Sequence, residues 1–291
     1  MTRLRFAYNT NGTASHRLDD ALSLIAESGY DGVALTLDHH HFDPFEPDCA
    51  VRAARLARRL ETLRLGSVIE TGARYLLDPR AKHEPTLVTR DPAGRARRVD
   101  FLCRAVDVAG TLGSEAVSFW AGVPKAGITR AEAQAWLRAG LEEVCRHAER
   151  AGVTVALEPE PGMLVETVDD YAALARDLPG LTLALDLGHC LVTGERDPAA
   201  AAREFAGSIG TVSIEDMKRG EHVHLAFGEG DMDIPGILDA LEEIAFSRLV
   251  CVELSRDSHR ADTMVPQALR YLKACRVEVE RAPALAAAAG D

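Results

Sequence analysis

Acidic and imidazole side chains recur in this chain directly after short apolar runs. Glu158 follows Val153–Leu157, Asp186 and His189 follow Leu181–Leu185, and Glu253 follows Leu249–Val252. His222 and His224 lie just past Val212–Asp216. A carboxylate placed where a buried strand stops has to be solvated, paired or bound to a cation, because an unpaired buried charge is costly. The short spacing of Asp186 and His189 lets both approach one cation, or two adjacent ones. His222 and His224 alternate about Val223, so in extended backbone they share a face and can chelate one ion. Glu160 has the same outward parity as Glu158 and competes with it as a ligand. Acids on three separate runs, joined by histidines, point to a divalent-cation site and so to an enzyme.

Other side chains suit contact with substrate. Glu70 and Arg74, with Lys82 and His83, are placed to meet an anionic substrate, and Trp120 to stack on a sugar face or to pack in the core. The turn Gly228-Glu229-Gly230 exposes backbone that can cradle a phosphate or hydroxyls, which makes Glu229 a further candidate. The run His39-His40-His41 offers imidazoles, but consecutive residues cannot all point the same way.

Convergence of these groups depends on the elements that carry them. Nearly continuous apolar runs predict parallel strands, buried on both faces, at Leu4–Thr10, Gly32–Asp38, Gly66–Gly72, Ala116–Gly122, Val153–Glu160, Leu181–His189, Ile209–Asp216 and Arg248–Ser255. Amphipathic helices are predicted between them, among them Asp19–Ser28, Ala50–Leu63, Arg97–Leu112 and Arg130–Ala151. Eight βα units in regular order predict an α/β protein with a (β/α)8 TIM barrel, whose strands all end at one mouth. No GxGxxG follows the first strand, which argues against a dinucleotide fold. The long polar connection Ala73–Ala96 is expected to act as a lid over that mouth. Residues 1–280 are read as one domain and 281–291 as a flexible, Ala-rich tail.

Composition narrows the function. The net charge of −12 disfavours a non-specific hold on nucleic acid. No apolar run approaches the roughly 20 residues needed to span a bilayer. The N-terminus lacks the apolar stretch of a signal peptide. The scattered cysteines form no CxxC and read as reduced, small core residues, with Cys190 beside His189 the one to watch. A cytoplasmic location is expected.

Taken together, Glu158, Asp186-Leu187-Gly188-His189, Gly228-Glu229-Gly230 and Glu253 give the chain a resemblance to a known family. It resembles the sugar phosphate isomerase/epimerase family of xylose isomerase-like TIM barrels, related to AP endonuclease family 2. That superfamily includes ketose 3-epimerases, inosose dehydratases and the type IV apurinic endonucleases. The resemblance implies that Glu158, Asp186 and Glu253 are metal ligands, and that His189 touches substrate or a second metal. The epimerases' remaining ligand is a histidine on strand seven, where this chain has Ser213, so His222, His224 or Glu215 would compensate. The His-x-His before the GEG turn resembles the endonucleases' Asp-x-His, which implies that His189, His222 and His224 hold a metal by themselves. The further endonuclease histidines on strands three and four have no match, since Glu70 and Trp120 stand there.

The expected activity is isomerisation or epimerisation of a sugar, sugar phosphate or cyclitol through an enediolate. Glu158 and Glu253 would be acid and base, and His189 would orient a substrate oxygen. The expected cofactor is a divalent metal, Mn²⁺ first, with Zn²⁺, Fe²⁺, Co²⁺ or Mg²⁺ as alternatives. The partner is a small polyhydroxy molecule, with no membrane, and a homo-oligomer is usual for similar barrels. Two alternatives stand: a metal-dependent hydrolase or lyase, and a metabolite-binding barrel without catalysis.

Overall fold

A computed structural model describes residues 3–288, with side chains described through Arg276. The first three strands are β1 (Arg5–Asn9), β2 (Gly32–Thr36) and β3 (Gly66–Glu70). They are followed by β4 (Val117–Trp120), β5 (Val155–Glu158), β6 (Leu181–Asp186) and β7 (Ile209–Ile214). A short antiparallel hairpin, β8 (Asp216–Lys218) and β9 (Glu221–Leu225), precedes the last barrel strand, β10 (Leu249–Val252). The closed order is β1-β10-β7-β6-β5-β4-β3-β2, so the expected (β/α)8 barrel forms. Its strands are buried because helices cover one face and the packed barrel interior the other. β2 is buried throughout, and Gly32 shows how tight the interior is: a Cβ there would lie 2.8 Å from the Gly66 carbonyl oxygen.

The helices are α1 (Leu18–Ser28), α2 (Cys49–Leu63), α3 (Pro92–Leu112), α4 (Arg130–Ala151) and α5 (Val168–Ala175). They continue as α6 (Leu187–Thr193), α7 (Pro198–Glu204), α8 (Ile234–Glu243) and α9 (Ala261–Ala288). Local chemistry sets their starts. Thr129 and Glu132 form a capping box on α4. Asp91 caps α3 ahead of Pro92, so that helix begins before the expected Arg97 and shortens the preceding connection.

Every barrel strand stops short of its expected end, and two of those ends matter for the site. The sixth strand stops at Asp186 instead of His189, because the Asp186 side chain accepts from the amides of Gly188 and His189 and starts α6. The seventh stops at Ile214, which places Glu215 at the joint between the barrel and the hairpin. Of the expected tail, 281–288 lies on α9, and 289–291 lies outside the described residues. Among the described residues, no helix is long and apolar enough to cross a membrane.

Candidate active site and metal centre

At the C-terminal ends of the strands lies a cavity of about 270 Å³. Its walls include Glu70 from β3, Trp120 from β4, Glu158 and Glu160 from the end of β5, and His189 from α6. Ser213 of β7, His222 and His224 of β9, and Glu253 after β10 complete the ring.

Two groups of possible metal ligands share His189. Ligand atoms of His189, His222 and His224 all lie within 4.8 Å of one another, and so do those of His189, Glu158 and Glu160. His189 Nδ1 sits 2.9 Å from the Pro159 carbonyl oxygen and so carries the proton, leaving Nε2 bare. That Nε2 faces His222 Nε2 at 3.1 Å. Two nitrogens bound to one ion at about 2.0–2.1 Å stand roughly 3 Å apart, so this separation suits a shared cation.

Carboxylates surround the trio. Asp186 Oδ2 is 3.6 Å from His189 Nε2, and Glu158 Oε1 is 3.7 Å from His189 Nδ1. Glu160 Oε1 is 3.7 Å from His222 Nε2, and Glu215 Oε2 is 3.9 Å from His224 Nδ1. Four buried atoms in this shell have no hydrogen-bond partner: Asp186 Oδ2, both oxygens of Glu215, and His224 Nδ1. Buried polar atoms are rarely left orphaned, and crowded carboxylates need a proton or a cation between them. The donor set therefore fits a divalent ion held by the imidazoles and backed by acids.

Electrostatics agree. Burial, then the nearby Glu160, Asp186 and Glu253 carboxylates, push Glu158 well above the usual carboxylate range. Burial and Asp186 do the same to Glu215. Glu70 is pushed up to about 7 by burial and by Glu253. Asp186 moves the other way: burial opposes its ionisation, but His189 and His224 outweigh it. His222 falls to about 4 through burial and the neighbouring His189.

Several expected roles change. Glu158, Asp186 and Glu253 share this end of the barrel, and Glu158 groups with Glu160 and His189 as well as lying beside the histidine trio. Asp186 lies beneath the cavity as the cap of α6, and Glu253 Oε1 accepts from Asn11 Nδ2 at 2.9 Å. Of the expected substrate contacts, Glu70, Arg74, Lys82 and Trp120 line the cavity, whereas Glu229 is exposed and outside its lining. The GEG turn offers no phosphate cradle, because the Gly228 and Gly230 amides donate to Asp216 Oδ2 at 2.8 and 3.0 Å. Trp120 is only 5 % exposed, with His83 stacked on it at 5.4 Å and the Arg98 guanidinium 4.4 Å above the ring. His83 therefore covers much of the indole face that Trp120 was expected to present. Residues His39 and His40 gather around Asp38 beside this mouth, while His41 is buried with Nε2 3.3 Å from the His16 carbonyl oxygen. Cys190 is buried and its thiol pushed up by that burial, which removes it as a nucleophile.

Sequence reasoning ranked Glu215 only as a substitute for the missing strand-seven histidine. Its signal was the same as for the other acids, an apolar run ending in a carboxylate. Asn11 and Arg256 also face the cavity and carry no comparable signal.

Residues 22–275 match the family model described as "Xylose isomerase-like TIM barrel", and the chain belongs to that family. An L-ribulose 3-epimerase from Mesorhizobium japonicum is 28% identical over 81% of this chain and 74% of its own length. The L-ribulose-5-phosphate 3-epimerase UlaE of Shigella flexneri is 25% identical over 88% of this chain and 87% of its own. A solved L-ribulose 3-epimerase shares the fold with a TM-score of 0.75 and 23% identity, covering 96% of this chain and 97% of that one.

Proposed function

We propose that the protein is a metal-dependent sugar epimerase or isomerase acting on a ketose-like polyhydroxy compound through an enediolate. One observation carries this reading: two carboxylates, Glu158 and Glu253, line one cavity together with the cation-ready histidine trio. The relatives named as L-ribulose 3-epimerases support the same chemistry.

His189, His222 and His224, backed by Asp186 and Glu215, would hold the ion. When bound, the ion supplies positive charge beside the substrate oxygen where negative charge develops. Three imidazoles favour Zn²⁺, Fe²⁺ or Co²⁺ over the Mn²⁺ that an acid-only set would select. Epimerisation requires a proton to leave one face of a carbon and return to the other. β5 and β10 are separated in the ring by β6 and β7, so Glu158 and Glu253 approach a bound substrate from different walls. Glu253, oriented by Asn11, takes the proton, and Glu158, kept protonated by burial and its acidic neighbours, returns one. With Nδ1–H bonded to the Pro159 carbonyl, His189 turns Nε2 into the cavity, where it would ligate the ion or meet a substrate oxygen.

The test is incubation of metal-loaded protein with L-ribulose and other ketoses in D₂O. Deuterium entering at the carbon beside the carbonyl, with formation of the epimer or isomer, supports the reading. The imidazole-rich donor set also suits metal-assisted hydrolysis or elimination. Product release without deuterium exchange would favour that alternative.

A further inference from the structure

Across the mouth from the histidine trio, the end of β2 carries a second set of ligand atoms. In the closed ring β2 and β6 stand opposite each other, with β1, β10 and β7 between them on one side and β3, β4 and β5 on the other. Just beyond β2, ligand atoms of Asp38, His39 and His40 all lie within 4.8 Å of one another. None of these three residues lines the cavity, although Thr36 of the same strand does.

A backbone turn explains why two of three consecutive histidines converge. The His41 amide donates to the Asp38 carbonyl at 3.2 Å, which leaves His39 and His40 at the corner. His41 is turned away: its ring is buried, with Nε2 3.3 Å from the His16 carbonyl oxygen. Asp38 is the fixed member of the group. Its side chain is fully buried, and Oδ1 accepts from the His39 amide at 2.7 Å. The same oxygen lies 2.9 Å from His39 Nδ1. Two atoms bound to one ion at about 2.0–2.1 Å stand roughly that far apart. Asp38 Oδ2 has no hydrogen-bond partner and stands 3.9 Å from His40 Nδ1, a gap that a small turn of the His40 ring closes. Buried polar atoms are rarely left bare. Among the described residues, only these two imidazoles come within ion-pair distance of Asp38, and the nearby Arg74 does not.

We propose that Asp38, His39 and His40 form a second divalent-cation site at the rim of the barrel, apart from the centre held by the histidine trio. Two imidazoles and one carboxylate suit Zn²⁺, Co²⁺ or Ni²⁺, whereas Mg²⁺ and Ca²⁺ call for oxygen-rich sets. The His39 side chain is 67% exposed and that of His40 20%, which gives an ion a path from solvent and leaves coordination positions for water. The ion would satisfy the bare Asp38 oxygen. This site stands whether or not the protein is an epimerase.

The test is Co²⁺ binding to untagged, metal-stripped protein, followed by calorimetry and by the visible spectrum. His222→Asn disables the trio, and His39→Asn removes a rim ligand at an exposed position where the fold tolerates change. The wild type should bind ions at both centres, and His222→Asn should keep the rim ion. His39→Asn and Asp38→Asn should each weaken the rim ion by at least about 10- to 100-fold, the cost of losing even a supporting group. The ion held by the trio should be unaffected by either. Asparagine at position 38 can still accept from the His39 amide, so that variant keeps the turn. Failure of His222→Asn to bind Co²⁺ overturns the proposal. So does Co²⁺ binding by His222→Asn that survives unchanged when His39→Asn or Asp38→Asn is added. A Co²⁺-soaked crystal in which Asp38 Oδ2 pairs with Arg74, with no ion between the imidazoles, overturns it as well.

Discussion

Replacing Gly188 by alanine separates a cage built around a cation from one that is merely crowded. Gly188 lies on α6, between the capping Asp186 and the ligand His189. A Cβ there would stand 2.4 Å from Glu215 Oε1, 2.8 Å from Met217 Sδ and 2.9 Å from Met217 Cε. All are ends of flexible side chains, but Glu215 and Met217 are fully buried, so neither can move without disturbing its surroundings. Two effects oppose each other in the metal-free protein. Alanine favours a helix by about 1 kcal/mol over glycine, while overpacking a tight interior costs about 1–3 kcal/mol. The net loss is therefore about 0–2 kcal/mol. Metal adds a second effect. Turning the Glu215 carboxylate away from His224 should weaken the ion about 10- to 100-fold, as loss of supporting groups does, or about 1.4–2.7 kcal/mol. The assay is thermal unfolding of wild type and Gly188→Ala over a Zn²⁺ or Co²⁺ titration. The variant should lose more stability with metal than without it, because metal-linked stabilisation scales with affinity. Equal destabilisation in both conditions, with an unchanged metal dissociation constant, would remove Glu215 from the cage.

Glu253→Gln should lower kcat by about 10²- to 10⁴-fold, the usual worth of a positioned general base, while metal affinity stays near wild type. Asn11 can still donate to the glutamine carbonyl, so near-normal turnover would dismiss Glu253 as the base. Acid should destabilise the fold through His41, which burial holds down to about 4 against an ordinary 6.5. The unfolded chain then binds more protons between those values, so this contribution is complete above pH 6.5 and is lost as pH falls to about 4. It amounts to up to about 3 kcal/mol. Chemical denaturation of His41→Gln across that range should show a shallower decline, and parallel curves would exclude His41 as a source.

The barrel was legible because buried parallel strands are written as apolar runs: the strand expected at Val153–Glu160 forms at Val155–Glu158, shorter at both ends but in the same place in the ring. Boundaries governed by a side chain were not. Asp186 reads equally well as the last residue of a strand or the cap of a helix, and only its two amide bonds decide. The gathering of His189, His222 and His224 could be anticipated from spacing and resemblance. How close His222 and His224 come to His189 could not, since that depends on where the β8–β9 hairpin lies against α6. Arg98 was invisible for the opposite reason. A charged residue in an amphipathic helix is expected to face water, yet this one is buried against Trp120 and Phe101. Glu229 was misjudged because a glycine-flanked turn advertises free amides, and Asp216 had already taken them.

The most direct trial is a crystal structure of the metal-loaded protein, with data collected on both sides of the metal's absorption edge. An anomalous peak should lie about 2.0–2.1 Å from His189 Nε2 and His222 Nε2, with a His224 ring nitrogen also coordinated. An active crystal whose only ion sits at Asp38, His39 and His40, or whose three imidazoles stay uncoordinated, would contradict the proposed centre.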